Sequence, residues 1–279
     1  MPVTSRTVRA VRVEAELFVP GPRTARSLCV LSSSSGGNCS ALIHGEGALR
    51  RVTLIDAGLS PRRTGKLLAE LGLGVEHIDD VIFTHLDSDH CYAGWAKFLP
   101  AHARFRIHKR HRSRAERMGI LVRRTEIFDQ PFHMPSGARV TPLLASHDDL
   151  GTATFRFDFE DGCGSLGWAT DLGRVPAGVV ELFRGVHILA IESNYCPKMQ
   201  RASGRSKALQ DRIMDGSGHL SNEQCADAVR DISPRRHVVL LHLSRQCNTP
   251  GIAAAHHAGA PYGLTISRHD GASELVPLH

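Results

Sequence analysis

Thr84-His85-Leu86-Asp87-Ser88-Asp89-His90 follows directly on the apolar run Val81-Ile82-Phe83. That run has the length and composition of a buried strand, so four potential metal ligands, His85, Asp87, Asp89 and His90, sit where a strand ends. Imidazole supplies nitrogen and carboxylate supplies negative charge. Alternate residues can turn toward different ions, so a cluster this dense can hold two divalent cations. A lone H-x-D would read as a polar loop; four ligand types within six positions do not.

The same arrangement recurs downstream. Strand-like Val140 to Ala145 runs into Ser146-His147-Asp148, Ser165 to Ala169 into Thr170-Asp171, and Val238 to Leu241 into His242-Leu243-Ser244. A six-residue cluster followed by His, Asp and His resembles the metallo-β-lactamase superfamily, whose usual cluster is H-x-H-x-D-H, and the likeness extends from about Leu28 to Leu278. Within that superfamily the wording resembles the bacterial YycJ (WalJ)-like branch of DNA exonucleases. The segments that carry this are Ser32 to Cys39, Leu54 to Ser60, Ser146-His147-Asp148, Ala169 to Gly173, Glu192-Ser193-Asn194, Gly218 to Asn222, and His242 to Ser244 with Asn248-Thr249-Pro250.

The resemblance implies an α/β fold, an αββα sandwich of the metallo-β-lactamase type, in a single domain over residues 27–279. It implies two divalent metal ions, Zn or Mn with Fe as a third choice. His85, Asp87 and His147 would hold the first, Asp89, His90 and His242 the second, and Asp171 would bridge them. Asp89 would also orient the nucleophile, and Asp56 would steer a ligand imidazole from behind. Gly218-His219-Leu220-Ser221 resembles the Gly-His-Ser-Thr segment of tRNA 3′-processing nucleases, which casts His219 as a general acid. Asp87 departs from the pattern, which has His there. Carboxylate is the harder ligand, so the change favours Mn²⁺ or Fe²⁺ over Zn²⁺. A similar H-x-D-x-D-H cluster occurs in the metallo-β-lactamase-like domain of DNA-uptake channel proteins.

Dispersed ligands can meet only if the segments between them fold as one unit, so the 279 residues read as one domain. The 42% hydrophobic content is ample for a core. No apolar run reaches the ~18 residues of a membrane-spanning helix, so no membrane association is expected. Residues 1–26 scatter Arg6, Arg9, Arg12, Glu14 and Glu16 among short apolar pairs without a continuous hydrophobic region. They read as a basic N-terminal extension, either flexible or an extra strand, rather than a secretory signal. Seven scattered cysteines, odd in number and lacking a C-x-x-C pair, fit reduced thiols and a cytoplasmic location.

A net charge of +6 favours an anionic partner, and the resemblance implies that this partner is nucleic acid, most readily DNA. Arg104, Arg106, Lys109, Arg110, Arg112, Arg114, Arg117, Arg123 and Arg124 crowd one segment. Lys198, Arg201, Arg205, Lys207 and Arg212 form a second group between two ligand motifs, better situated to meet a phosphodiester. Asn38, in the Ser32–Asn38 loop that either turns a hairpin or lets backbone approach a ligand, and Asn194 could donate to a phosphate.

Arg51 to Ile55 reads as a strand delivering Asp56 to its end. Ser60 and Pro61 open a helix that Gly72 closes. Tyr92 to Phe98 reads as a helix with Asp89 and His90 at its N-terminal end. Ser221 to Gln224 has the form of a capping box, with His219 at a strand-to-helix corner. The interval from Asp171 to His242 reads as one strand, one basic loop and one helix, too little for the cap domain of the β-CASP nucleases.

These features favour a cytosolic dinuclear metal-dependent hydrolase cleaving phosphodiester bonds, with exonuclease action on DNA. The alternatives are a small-molecule metallohydrolase acting on a thioester, lactone or cyclic phosphate, and a non-catalytic binding protein on the same fold. A secreted β-lactamase fits poorly, because the third motif offers Asp171 rather than Cys. A non-catalytic role fits poorly because carboxylates packed together repel one another without a cation.

Overall fold

Fourteen strands and eight helices make four layers in the computed structural model, which describes residues 25–147, 149–159, 162 and 164–278. The strands are β1 (Arg26–Ser32), β2 (Cys39–His44), β3 (Arg51–Ala57), β4 (Ile78–Ile82), β5 (Arg104–His108), β6 (Thr125–Phe128), β7 (Phe132–His133), β8 (Ala138–Ala145), β9 (Thr152–Phe159), β10 (Ser165–Ala169), β11 (Ile188–Glu192), β12 (His237–Leu241), β13 (Gly263–Ile266) and β14 (Val276–Pro277). The helices are α1 (Pro61–Glu70), α2 (Trp95–Phe98), α3 (Arg112–Arg117), α4 (Ala177–Phe183), α5 (Pro197–Arg201), α6 (Lys207–Met214), α7 (Asn222–Ile232) and α8 (Pro250–Ala255).

One sheet runs β14-β1-β2-β3-β4-β5-β6 and the other β13-β12-β11-β10-β9-β8-β7. In each, antiparallel hairpins give way to parallel strands, from β3 onward in the first and from β10 onward in the second. Strands buried on both faces read as continuous apolar runs, which is why β4, β10, β11 and β12 were legible without alternation. Their inward residues, among them Leu28, Val30, Leu42 and Ile55 from one sheet and Phe155, Phe157, Trp168, Ile188 and Val239 from the other, form the central core. The first sheet's outer face packs on Leu67 and Leu68 of α1. That of the second packs on Val179 and Phe183 of α4 and on Cys225, Val229 and Ile232 of α7.

Helix starts follow their sequence signals. Ser60 accepts from Arg63 N ahead of Pro61, and Ser221 with Gln224 forms the reciprocal capping box of α7. Three expectations need correction. The stretch 92–98 is helical only from Trp95, because Tyr92 N donates instead to Ala57 O and Ala57 N to His90 O, which ties the segment to the end of β3. The interval from Asp171 to His242 holds four helices, α4 to α7, around β11. His219 accordingly sits at a helix-to-helix corner between α6 and α7.

Of the expected N-terminal extension, residues 1–24 lie outside the described residues, and Arg26 already belongs to β1. Cys29, Cys39, Cys91, Cys196, Cys225 and Cys247 are free thiols; Cys163, like Asp148, lies outside the described residues. Among the described residues no helix is long and apolar enough to cross a membrane.

Candidate metal centre

The parallel strands of both sheets end along one edge, and there the motif residues meet. Asp56 at the end of β3, Asp171 after β10 and His242 after β12 all take left-handed backbone, with φ of 58°, 53° and 55°. Asp and His tolerate that region better than β-branched residues do. The reversal turns each side chain off its strand axis and into the edge, at a conformational cost of about 1–2 kcal/mol apiece. Gly58 seats the cluster loop against β3: a β-carbon there would lie 1.8 Å from Asp89 O.

Nitrogen and oxygen atoms of His85, Asp87 and His147 lie within 4.8 Å of one another, and so do those of Asp89, His90 and His242. His85 Nε2 is 3.8 Å and His147 Nε2 4.0 Å from Asp87 Oδ2. In the second set His90 Nε2 and His242 Nε2 stand 3.6 and 3.4 Å from Asp89 Oδ2. Asp171 lies beside members of both sets. It groups with His85 and His90 in a third set, its Oδ2 is 2.7 Å from His90 Nε2, and its Oδ1 is 3.2 Å from His242 Nδ1.

Behind the imidazoles lies a row of partners that selects their tautomers. Asp56 Oδ1 accepts from Thr84 N (2.8 Å), and both its oxygens lie within reach of the Thr84 hydroxyl, at 3.0 and 2.9 Å. The single hydroxyl proton is thus spent on Asp56, and Thr84 Oγ1 can only accept from His85 Nδ1, 3.0 Å away. His85 therefore carries its proton on Nδ1 and presents an Nε2 lone pair to the cluster. His90 Nδ1 is 2.7 Å from Asp56 Oδ2, and His242 Nδ1 is 3.3 Å from Glu192 Oε1. Such bonds fix ring orientation and raise ligand basicity.

The cluster is rich in negative charge and short of positive charge. Burial and the neighbouring His90 push the His85 pKa well below its usual value, so that ring is neutral. Burial works the other way on Asp171, yet His242 and His90 hold its carboxyl well below the ordinary range. Burial also opposes the charged forms of His90 and His242. Asp171 and Asp56 nevertheless raise His90 well above its usual value, and Asp171 and Asp89 bring His242 to about 9. Protons on these rings supply the positive charge that the carboxylates demand. A donor set of imidazole nitrogens and carboxylate oxygens, converging in two groups on a shared carboxylate, fits divalent cations in the same role.

His219 faces the cleft above the cluster. Its Nδ1 is 2.6 Å from Glu192 Oε1 and 3.3 Å from Asp171 Oδ1, which leaves Nε2 for the cleft. Against the effect of burial, Glu192 and Asp171 raise its pKa to about 10, so in the metal-free protein the ring is charged at neutral pH. Gly218 permits this corner, since a β-carbon would fall 2.3 Å from Arg212 O.

Sequence reasoning missed Glu192 as a site residue. It is fully buried at the end of β11, its Oε2 accepts from Leu172 N (2.7 Å) and Leu220 N (3.3 Å), and its Oε1 faces both His219 and His242. The motif Glu192-Ser193-Asn194 was the available signal. Arg114 was also missed: it reaches out of a basic run to donate from Nη2 to Asp87 Oδ1 at 2.6 Å.

The expected substrate contacts need revision. Asn38 does not line the cleft; its amide donates to Ser34 O (3.0 Å) and Asp89 O (3.3 Å), and its Oδ1 accepts from Ser33 Oγ, which also accepts from His242 N. Asn194 lines the cleft but donates to His242 O at 2.7 Å, so it braces that ring. In the second basic group Arg205 and Arg212 line the cleft, whereas Lys198, Arg201 and Lys207 do not; Lys207 pairs with Asp211. Arg205 is held by Gln246 Oε1 (3.0 Å) and Gln200 Oε1 (3.2 Å). Much of the first group is paired internally, Arg104 and Arg106 with Asp80 and Glu126, Lys109 with Asp129, and Arg112 with Glu116.

Comparison with known proteins gives consistent likenesses. The model of the Beta-lactamase superfamily domain matches residues 50–243. Exodeoxyribonuclease WalJ of Streptococcus pneumoniae is 29% identical over 234 residues, covering 80% of this chain and 84% of that protein. Exodeoxyribonuclease YycJ of Bacillus anthracis is 27% identical over 237 residues, with coverage of 80% and 84%. The metallo-beta-lactamase fold protein YhfI of Bacillus subtilis superposes with a TM-score of 0.65 at 16% identity, over 89% of this chain and 99% of that one, a likeness of fold. With the family model spanning most of the chain, the sandwich complete and the motif residues gathered at its edge, the chain belongs to the metallo-β-lactamase superfamily, in its YycJ-like branch.

Proposed function

We propose that the protein is a cytosolic, dinuclear metal-dependent phosphodiesterase that degrades DNA as an exonuclease. One observation carries this reading: two three-residue sets of candidate ligands lie beside Asp171, and all but His90 line a cleft that Arg205 and Arg212 also line. The exodeoxyribonuclease names of the two relatives support it.

In this reading His85, Asp87 and His147 would hold one divalent ion and Asp89, His90 and His242 the other, with Asp171 shared between them. Ions bound there would supply Lewis acidity for displacement at phosphorus. Asp89 Oδ2, between His90 and His242, accepts a hydrogen bond from the attacking water and aims it. Arg205, pre-set by its two glutamine partners, and Arg212 bind the phosphate and orient it. His219, kept protonated by Glu192, gives its Nε2 proton to the leaving oxygen, a step contributing typically ~10²- to 10⁴-fold. Glu192 then stabilises the ring through the transfer.

The test couples elemental analysis of purified protein to a nuclease assay on end-labelled single- and double-stranded DNA, with Mn²⁺, Zn²⁺ and Fe²⁺ added separately. Thioester, lactone and cyclic phosphate substrates run beside them. The expected result is about two ions per chain and stepwise release of mononucleotides. No cleavage of DNA with any metal, alongside turnover of a small ester, would overturn the reading in favour of a small-molecule hydrolase.

A further inference from the structure

Arg212 of α6 lines two depressions. One is the cleft over the cluster; the other is a groove shared with Arg114 and Arg117 of α3 and with Asp149 and Leu150. The groove thus adjoins the cleft through a common arginine, and among the described residues its lining holds Asp149 and three arginines, of which Arg114 is paired with Asp87.

This is unlike the rest of the basic segment. Most of its charges are answered by acids, which makes that surface an ordinary solvated face. Arg117 and Arg212 form no ion pair among the described residues, and both point into the groove. Arg114 holds Asp87 with one nitrogen while lining the groove, so the groove begins where the ligand cluster ends. Guanidinium is the group best matched to phosphate oxygens, through parallel N–H donors.

We propose that the α3–α6 groove is a second phosphate-binding subsite, which takes the backbone of nucleotides flanking the scissile bond and makes the enzyme favour polynucleotides over short fragments. This rests on the phosphodiesterase reading above. Arg212 lines both depressions and Arg117 the groove alone, so Arg117 is felt only by substrates long enough to extend beyond the cleft.

The experiment measures equilibrium binding of labelled phosphorothioate oligonucleotides of graded length across a KCl series, for wild type, Arg117→Gln and Arg117→Lys. In wild type, affinity should rise with length until the groove is filled. Arg117→Gln should lose the last increment and flatten the log-log salt slope by about 0.7, the value for one phosphate contact on a single strand. Arg117→Lys should restore most of the slope, since it keeps the charge, but less of the affinity. Equal length dependence and salt slope in wild type and Arg117→Gln would overturn the groove, even where wild type cleaves DNA. Failure of wild type to cleave DNA with every metal would instead sink the reading on which the groove rests.

Discussion

Asp56→Asn changes one atom and should weaken one of the two proposed metal sites. Asp56 accepts from Thr84 N at 2.8 Å with one oxygen and faces His90 Nδ1 at 2.7 Å with the other. An asparagine that keeps the first bond turns its NH₂ toward His90. Nδ1 must then accept, the ring proton moves to Nε2, and the lone pair that faces Asp89 and Asp171 is lost. Flipped, the amide faces Thr84 N–H with a second donor and leaves a buried donor unpaired, at about 1–3 kcal/mol. Removal of such a partner typically lowers metal affinity ~10- to 100-fold, or about 1.4–2.7 kcal/mol. Competition titration against a chromogenic chelator resolves the two binding events. Only the event that belongs to the Asp89, His90 and His242 set should shift, while His85, held by Thr84, keeps the first set intact. Equal affinity of Asp56→Asn and wild type at both steps would refute the tautomer argument, as would equal loss at both.

His219→Ala should lower kcat on DNA by ~10²- to 10⁴-fold with little change in KM, and much less on a p-nitrophenyl phosphodiester, whose leaving group needs no proton; parallel losses on both substrates would remove the general-acid role. The metal-free protein should be most stable near neutral or mildly acidic pH and lose stability as pH rises from about 6.5 through about 9 to 10. His242 and His219 are raised to those values, so their contribution is full below the unfolded pKa and vanishes above the folded one. Melting temperatures of chelated protein across that range test this, and a flat profile would contradict the charge balance inferred for the cluster. Asp171→Ala should depress occupancy of both ions in elemental analysis, and loss of one alone would deny the bridging role.

Much of the candidate centre was legible because its candidate ligands are local words at strand ends. Thr84 to His90 packs four of them into one loop, and His147, Asp171 and His242 each follow a recognisable apolar run. Residues that act through distant partners were not legible. Glu192 matters because β11 delivers its carboxylate between residues 219 and 242, a juxtaposition without a sequence period. Arg114 looked like its basic neighbours until Asp87, 27 positions away, was seen beneath it. The shortened α2 has a similar cause, since Tyr92 and His90 give their backbone bonds to Ala57 and local helical preference yields to a tertiary contact. The short helices α5 and α6 are too polar to stand out from a basic loop.

The seven candidate ligands come from both sheets, His85, Asp87, Asp89 and His90 from the loop after β4, and His147, Asp171 and His242 from the ends of β8, β10 and β12. An ion seated among them is therefore a cross-link between halves of the sandwich, in a chain whose described cysteines are all unpaired. It acts as a clasp that a disulfide would provide elsewhere, with the difference that its strength follows the supply of metal. At a hundredfold excess over Kd each site would add about 2.7 kcal/mol to the folded state, and at a thousandfold about 4.1 kcal/mol. Scarcity of metal would then remove the enzyme as well as idle it, by opening the catalytic edge to proteases before the rest of the sandwich gives way.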